Sequence, residues 1–344
     1  MPQELALAIS ECEHDRLFIL TDDTTERLCR PVVSRYLCLK GAQVITIAAG
    51  DAHKDLDALS AVWMALQQGG ATRHSCLINL GGGMVTDLGG LAASTFKRGI
   101  DFINIPTTLL AMVDASVGGK TGINFNGLKN EIGVFREAAC VIINTQFLKT
   151  LDDENLRSGY AEMLKHGLIS SREMLSALLR FPIEGAMEGD ALRELQQMVA
   201  ESVAVKQRIV LQDPHEHGLR KALNLGHTVG HAIESLALRR GRPLLHGYAV
   251  AHGLVAELYL SHACCGFPQT LLSQTAAFVR RVYGQVPITC DDYPELLDLM
   301  THDKKNTAGA TNFTLLADAG QLCLNRTASP ELIAEALDFC REGG

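Results

Sequence analysis

Residues 75–87 read SCLINLGGGMVTD, a short apolar run that ends in three glycines. The run has the length and composition of a buried β-strand, and the following LGGLAASTF can form a helix. Glycines at such a junction let the backbone approach a pyrophosphate, while the helix N-terminus supplies N–H groups and a positive dipole. The G-x-G-x-x-G spacing is absent. The stretch therefore predicts a strand, a tight turn and a helix, either as a simple turn or as a phosphate or dinucleotide site.

Similar strand-like runs flank this stretch on both sides. They read LFILTD from Leu17, QVITIAAG from Gln43, DFINIPTT from Asp101 and CVIINTQFL from Cys140. Between them, residues 55–68 (DLDALSAVWMALQQ) place apolar residues at helical spacing. Alternation of strands and helices predicts an α/β layer with a mostly parallel sheet over residues 1–150.

The pattern changes near Leu151, and residues 151–344 are predicted to be predominantly helical. Helices are expected at residues 159–169, 190–213, 225–238, 247–264 and 330–341. One exception is TNFTLLADAGQLCLNR at residues 311–326, where two strand-like runs flank Asp-Ala-Gly and predict a hairpin. Without a Pro/Ser-rich linker, we expect two closely packed domains with a cleft between them.

Composition excludes several classes of protein. The chain has 344 residues, 47% of them hydrophobic, and 31 basic against 39 acidic side chains give a net charge of −8. This acidic balance argues against a nucleic-acid coat or an anionic-membrane binder. No apolar run approaches the ~20 residues of a spanning helix, and the acidic start MPQELALAISE predicts a cytoplasmic protein. The ten cysteines show no C-x-x-C spacing and are expected to be free thiols.

Cations and amides concentrate in the predicted loops of the first half. Residues 114–124 read DASVGGKTGIN, with Lys97-Arg98 upstream and Lys129-Asn130 downstream. Such groups near strand ends are typical of a site for phosphate or carboxylate. The doubled Lys304-Lys305 is a weaker candidate, since paired lysines usually lie on the surface.

The helical half contains residue types that bind metals. His227 and His231 are four apart, on one face of a predicted helix, and His246 precedes another helix. Glu162 offers a carboxylate, with Lys165 three positions later. Two histidines and one carboxylate with an open position are typical of catalytic zinc. The spacing favours His227 together with His231, but it does not decide which three groups bind.

Ordered blocks along nearly the whole chain carry a resemblance to a known family. They include GGGMVTD, FKRGIDFINIPTTLLAMVDASVGGKTGIN, LKNEIG, GYAEMLKHGLI, DPHEHGLRKALNLGHTVGHAIE, LLHGYAVAHGL and DKKNTAG. With these blocks the chain resembles the 3-dehydroquinate synthase family of sugar phosphate cyclases. The resemblance implies a Rossmann-like NAD-binding α/β domain (1–150), an α-helical metal and substrate domain (151–344), an active site in the cleft between them, and a homodimer.

The resemblance also implies a reaction and its cofactors. The substrate would be 3-deoxy-D-arabino-heptulosonate 7-phosphate, a small phosphorylated sugar acid, converted to 3-dehydroquinate and phosphate in the shikimate pathway. The implied steps are transient oxidation by NAD, phosphate elimination, reduction, ring opening and aldol closure, with one divalent ion, zinc or cobalt. No nucleic acid or membrane is expected as a partner.

Site residues follow from the resemblance by matching position. The implied metal ligands are Glu162, His227 and His246. The implied catalytic residues are His231, Glu216 and Lys165. The implied substrate contacts are Arg98, Asp114, Lys120, Asn130, Lys206, Arg220, Asn224 and one of Lys304 and Lys305. The implied NAD contacts are Asp22, Asp51, Lys54, Gly82, Gly83, Met84, Asp87, Thr107, Thr108, Lys129, Phe147 and Thr150.

Two departures from the family pattern concern the cofactor loops. Asp51 stands where relatives usually have Glu, and residues 125–128 read FNGL where many have His-Pro. Both departures affect expected affinity rather than chemistry. Another sugar phosphate cyclase, a metal-dependent polyol dehydrogenase and a non-enzymatic NAD-binding regulator are the alternatives. Lys129-Asn130 and Lys165 favour the dehydroquinate branch.

Overall fold

The computed structural model describes residues 1–12, 14–126, 128–184, 188–301 and 311–342. The chain divides into two compact units, Met1–Asp152 and Asp153–Gly344. The candidate substrate residues Lys304 and Lys305 lie outside the described residues.

The first unit is built on a parallel sheet. Its strands are β1 (Leu17–Asp22), β2 (Gln43–Ile47), β3 (Cys76–Gly81), β4 (Asp101–Pro106), β5 (Lys120–Phe125), β6 (Leu128–Phe135) and β7 (Cys140–Val141). In the described residues the main sheet has the order β2-β1-β3-β4-β7, with every neighbouring pair parallel. All positions of β1 and β3 are buried, as expected for strands covered on both faces. The α/β fold predicted for this half is confirmed.

Helices cover the sheet of the first unit. They are α1 (Pro2–Glu11), α2 (Asp23–Leu28), α3 (Arg30–Val33), α4 (Leu56–Gln68) and α5 (Gly83–Thr95). Helix α4 begins after Asp55, whose carboxylate accepts a 2.9 Å bond from the Ala58 N–H and satisfies a free donor of the first turn. Leu66 of α4 and Leu88 of α5 pack with Phe18 and Leu77 of the sheet in one apolar core.

Two details of the first unit differ from the predictions. The strand predicted from Cys140 is too long, because β7 ends at Val141 and Asn144 then caps a 3₁₀ helix at Thr145–Thr150. The hairpin of β5 and β6 was not predicted, and it forms a separate antiparallel sheet in which Gly122 faces Gly133.

The second unit is mainly helical, as predicted. Its helices are α6 (Asp153–Ser170), α7 (Arg172–Arg180), α8 (Gly189–Gln212), α9 (His227–Arg239), α10 (His246–Cys265), α11 (Gln269–Tyr283), α12 (Tyr293–Thr301) and α13 (Pro330–Glu342). The predicted hairpin is confirmed as β8 (Asn312–Asp318) and β9 (Gln321–Thr327), paired antiparallel. Among the described residues, none of the helices has the length and apolar character needed to cross a membrane.

Glycines allow α6, α9 and α10 to approach backbone to backbone. A Cβ added to Gly253 of α10 would lie 2.0 Å from the carbonyl oxygen of Gly226, immediately before α9. A Cβ on Gly247 of α10 would lie 1.8 Å from the carbonyl oxygen of Ser158 in α6. Neither position has room for a side chain, so these contacts fix the spacing of the three helices.

Candidate active site

Three helices of the second unit bring a carboxylate and two imidazoles together. Glu162 lies in the middle of α6, and His227 and His246 are the first residues of α9 and α10. Their ligand atoms all lie within 4.8 Å of one another. Glu162 is fully buried and His227 is buried, while His246 is partly exposed.

The distances within this cluster fit a tetrahedral metal. Oε1 of Glu162 lies 3.4 Å from Nε2 of His227 and 3.3 Å from Nε2 of His246. Metal–ligand bonds of about 2.0–2.1 Å at tetrahedral angles separate neighbouring ligand atoms by about 3.3 Å. Two imidazole nitrogens and one carboxylate oxygen are also the donor set of catalytic zinc sites, which keep a fourth position open. The three residues therefore fit one divalent ion.

Each imidazole is held through Nδ1, the ring nitrogen that does not face Glu162. Nδ1 of His227 lies 3.0 Å from the carbonyl oxygen of Leu225, and Nδ1 of His246 lies 3.3 Å from Oε2 of Glu234. When Nδ1–H donates to these acceptors, the lone pair of Nε2 faces the cluster. Such outer partners fix the tautomer and the ring orientation of metal-binding histidines.

The charges around the cluster favour an ionised Glu162. Burial raises the pKa of this carboxyl, but Lys165, which pairs with it one turn along α6, and His227 outweigh burial and hold its pKa well below the usual range. Burial and the charge of Lys165 lower the pKa of His227. Burial also opposes a proton on His246, yet the hydrogen bonds with Glu162 and Glu234 prevail and raise its pKa to about 10. The two carboxylates thus attract positive charge to this ring.

His231 lies beside the cluster. It is exposed on α9, one turn after His227, and its ring centroid lies 5.3 Å from that of His227 and 5.9 Å from that of His246. The spacing argument paired His227 with His231, but the compact group around Glu162 contains His246 instead. His231 belongs to a second group of possible ligands, with Glu234 and His246.

The segment between α8 and α9 holds Glu216 in a loop and Arg220 in the 3₁₀ helix Leu219–Asn224. Asp213 organises it, because its carboxylate accepts bonds from the N–H groups of His217 (2.9 Å), Gly218 (2.7 Å) and Arg220 (2.9 Å). These backbone bonds lower the pKa of Asp213 to about 2. Glu216 has φ of +62°, a rare value for a residue with a side chain.

The same loop connects to the residues just before α9. Oε1 of Glu216 accepts a 2.6 Å hydrogen bond from the side-chain amide of Asn224. The sequence predictions named both residues, and the structure brings them into contact.

Three cations of the second unit are buried. Lys165 of α6, Lys206 of α8 and Arg220 of the 3₁₀ helix each expose less than a tenth of their surface. Lysine and arginine are rarely buried unless a negative group compensates them. Glu162 compensates Lys165, and the substrate contacts expected at Lys206 and Arg220 stay a prediction.

In the first unit, the predicted glycine turn lies between β3 and α5. Gly82 is the N-cap of α5 and no side chain caps this helix, so its first N–H groups can face a ligand. A Cβ on Gly82 would lie 3.0 Å from Cγ2 of Thr108. The N–H of Thr107 bonds to the carbonyl oxygen of Gly81 at 2.9 Å, which ties the end of β4 to this turn. Met84 is in the first turn of α5.

A polar network joins other predicted cofactor residues of the first unit. Nζ of the buried Lys54 lies 3.0 Å from Oδ2 of Asp87 and 2.5 Å from Oδ1 of Asn130. Asp51 lies 3.6 Å from Lys54 and 3.1 Å from Lys129. The structure thus brings together four predicted NAD contacts and one predicted substrate contact.

Other residues of the first unit that were predicted to contact NAD or substrate have local contacts of their own or lie at exposed or partly exposed positions. Asp22 caps α2 and its Oδ1 accepts a 2.7 Å bond from the Thr25 N–H. Phe147 is fully buried, and its carbonyl accepts a 2.7 Å bond from the hydroxyl of Thr150. The remaining predicted substrate residues lie at exposed or partly exposed positions: Arg98 at the end of the 3₁₀ helix Phe96–Arg98, Asp114 in the π-helical turn Ala111–Ala115, and Lys120 at the start of β5.

Sequence reasoning missed two residues that hold site groups in place. Glu234 follows His227 by seven positions and His231 by three, so helical spacing alone places it on the same face of α9. Asp213 opens the DPHEHGLR block, and Asp before a turn is a known organiser of backbone N–H groups.

Comparison with known proteins identifies two matching families. The family described as 3-dehydroquinate synthase N-terminal matches residues 44–158, and the family described as 3-dehydroquinate synthase C-terminal matches residues 159–306. The 3-dehydroquinate synthase of Parabacteroides distasonis is 52% identical over 99% of this chain and 96% of the relative. That of Acinetobacter baylyi is 40% identical over 87% of this chain and 81% of the relative.

Solved structures show the same fold. A 2-epi-5-epi-valiolone synthase from Streptomyces hygroscopicus subsp. jinggangensis, solved with NAD⁺ and Zn²⁺ bound, is 28% identical with a TM-score of 0.86, over 99% of this chain and 94% of that one. A 2-deoxy-scyllo-inosose synthase aligns with a TM-score of 0.81 at 21% identity, over 100% of this chain and 94% of that one. The two family models and the curated relatives confirm the resemblance inferred from the sequence blocks.

Proposed function

The chain belongs to the 3-dehydroquinate synthase family, and we propose that it converts 3-deoxy-D-arabino-heptulosonate 7-phosphate to 3-dehydroquinate and phosphate. The observation that carries the proposal is the cluster of Glu162, His227 and His246, with both imidazoles oriented through Nδ1. A non-enzymatic NAD-binding regulator is expected to have lost a metal ligand or a proton-transfer group, and Glu162, His227, His246 and His231 are all present.

Two bound groups are required. When bound, NAD⁺ supplies reversible acceptance of a hydride, and a divalent ion, zinc or cobalt, supplies polarisation of a substrate alcohol oxygen. We assign the metal to Glu162, His227 and His246. The proposed NAD contacts in the first unit are Asp22, Asp51, Lys54, Gly82, Gly83, Met84, Asp87, Thr107, Thr108, Lys129, Phe147 and Thr150. The uncapped N-terminus of α5 supports binding of the pyrophosphate there.

The buried cations have the role of binding the anionic groups of the substrate. Lys206 and Arg220 offer charge and directed N–H donors, and the guanidinium fork suits phosphate or carboxylate. Burial increases the strength of each contact, since the local dielectric constant is lower than that of water. The proposed substrate contacts are Arg98, Asp114, Lys120, Asn130, Lys206, Arg220 and Asn224, together with one of Lys304 and Lys305.

Proton movement is assigned to His231, Glu216 and Lys165. His231 is exposed beside the metal cluster, and an imidazole can accept or donate a proton near neutral pH. Glu216 accepts a hydrogen bond from the side-chain amide of Asn224, which orients its carboxylate for proton transfer. The ammonium of Lys165 balances the charge of Glu162 and supplies a donor beside the cluster.

One assay tests the proposed reaction. Purified protein receives NAD⁺, Zn²⁺ or Co²⁺ and the heptulosonate phosphate, while inorganic phosphate and NADH are measured together. We expect phosphate release without net NADH, because the hydride returns to the substrate within each turnover. Steady NADH accumulation would identify a dehydrogenase instead. No phosphate from this substrate, with turnover of another sugar phosphate, would identify a different cyclase.

The cellular setting is also a proposal. We expect a homodimer, as the family resemblance implies, located in the cytoplasm and acting on a small phosphorylated sugar acid. Size-exclusion chromatography with light scattering tests the dimer, and fractionation of cells tests the location.

A further inference from the structure

Helix α9, which carries His227, begins without a cap from its own segment. Its N-cap is Gly226, with φ of +78°, and no side chain of the segment bonds to the first turn. The usual caps are Ser, Thr, Asp and Asn, whose oxygens accept from the free N–H groups. The residue at the third helical position, Val229, has no polar side chain either. The start of α9 therefore depends on a group from elsewhere.

That group is Glu257 of α10. Its side chain is fully buried, and it accepts a 2.6 Å bond at Oε2 from the Gly226 N–H and a 3.1 Å bond at Oε1 from the Val229 N–H. In a capping box, two side chains of one segment satisfy the N–H groups at the N-cap and at the third helical position. Here one carboxylate from another helix satisfies both.

The packing and the electrostatics around Glu257 favour this contact. A Cβ at Gly253 would clash with the carbonyl oxygen of Gly226. Helix α10 therefore packs directly against the backbone of Gly226 at Gly253, one turn before Glu257. A negative charge at a helix N-terminus is favoured by the helix dipole. A buried carboxylate is otherwise costly, and two charge-assisted bonds offset that cost.

The capped turn contains a proposed metal ligand. His227 is the first residue of α9 and lies between the two N–H groups that Glu257 holds. The Nδ1 contact of His227 with Leu225 is also part of this turn. Any rotation of the turn would displace Nε2 of His227 from Glu162.

We propose that Glu257 is a positioning residue that sets the first turn of α9, and thereby the imidazole of His227, before the metal binds. This inference rests on the proposed metal site. It assigns to Glu257 no contact with the metal, the cofactor or the substrate.

The first test compares metal affinity in two variants. Glu257→Gln keeps the shape of the side chain but presents an amide NH₂ to one of the two N–H donors. Ser261→Ala is the matched control, because Ser261 is buried one turn further along α10. Its hydroxyl donates to the backbone carbonyl of Glu257 and accepts from the Leu316 N–H, so the change leaves the Glu257 carboxylate and its two bonds to α9 in place. Zinc affinity is measured by competition with a chromophoric chelator, and thermal unfolding of the metal-free proteins is measured alongside.

We expect Glu257→Gln to raise the zinc dissociation constant by about 10- to 100-fold, the range for lost outer partners of metal ligands. Ser261→Ala should bind zinc as the wild type does, even where both variants lower Tm equally. Equal zinc affinity in Glu257→Gln and the wild type, or equal weakening in both variants, would overturn the inference. Wild-type protein that binds no zinc would instead overturn the proposed metal site, so the two failures are distinguishable.

The second test needs no variant. Hydrogen exchange in wild-type, metal-free protein should show protected amides at Gly226 and Val229, because Glu257 accepts from both before any metal is added. Exchange at the rate of unstructured peptide, with protection only after zinc is added, would contradict a preformed turn.

Discussion

Glu234 and His246 are joined by a contact of 3.3 Å between Oε2 and Nδ1, on the ring nitrogen that does not face Glu162. The contact links α9 to α10 and completes a carboxylate–imidazole pair of the kind found behind metal ligands. Glu234 is buried, so the pair is little weakened by water or salt.

Replacing Glu234 by Gln should therefore weaken metal binding. The amide keeps the shape but loses the charge that orients and polarises His246, and we expect an affinity loss of about 10- to 100-fold. Chelator competition measures it. Glu335→Gln is the control, because Glu335 is an exposed carboxylate that bonds to Tyr259. Unchanged zinc affinity in Glu234→Gln would show that the contact does not support His246.

Removing the charge of Lys165 should destabilise the metal-free protein. Lys165→Met leaves the buried carboxylate of Glu162 without its ion pair, which costs about 3 to 5 kcal/mol for a buried pair. Zinc should raise Tm more in this variant than in the wild type, because the ion compensates Glu162. Thermal unfolding with and without zinc measures both effects.

Arg193→Met is the control for that experiment. It breaks an exposed pair with Asp190 on α8, and the expected loss is below about 1 kcal/mol. Equal losses of stability in the two variants would contradict the special role of the buried pair.

Asp213 should matter for turnover more than for folding. Asp213→Asn loses the charge that holds three backbone N–H groups, so the segment with Glu216 and Arg220 loosens. A displacement of about 1 Å at reacting groups can cost on the order of a hundredfold in rate, and we expect a drop of that order in kcat/KM. Phosphate release measures it, with Asp190→Asn as an exposed control. Wild-type kinetics in Asp213→Asn would refute this role.

The buried His252 should make stability depend on pH. Burial lowers its pKa to about 4, so it is neutral in the folded protein over most of the acidic range. Above pH 6.5 it is neutral in both states and has no effect. Between pH 6.5 and about pH 4 only the unfolded chain takes up the proton, so stability falls as pH falls, by up to about 3 kcal/mol.

Unfolding of metal-free protein at pH 7 and pH 4.5 tests this dependence. His252→Leu should lose less stability over that interval than the wild type, whereas His74→Leu, at an exposed position, should follow the wild type. Parallel losses in His252→Leu and the wild type would mean that this histidine titrates normally.

The main architecture was predictable because its signals are local. Apolar runs of strand length ending in glycine, as at Gly81, and helical periodicity, as before Gln68, depend only on neighbouring residues. The hairpin of β5 and β6 was missed although Asn126-Gly127 is a typical hairpin dipeptide. Gly122 lies in β5 and Gly133 in β6, and every residue of β6 is exposed. The two segments therefore lack the alternation of buried apolar and exposed polar residues that predicts a strand.

The site was predictable only in part, since its contacts join distant segments. Helical spacing pointed to His227 with His231, which are neighbours on α9, but the group that surrounds Glu162 contains His246 of α10. Only packing of α6, α9 and α10 decides that choice, and only the family blocks indicated it beforehand. The roles of Glu234 and Glu257 depend on the same packing.

At Gly226, Gly247 and Gly253 of the second unit, neighbouring atoms come so close to the backbone that a Cβ would clash with them. A single methyl group at any of them would separate helices that must hold their ligands to within a fraction of an ångström. In a mutational library, we expect these glycines to be among the least replaceable residues, although none of them is a proposed catalytic, metal or substrate residue.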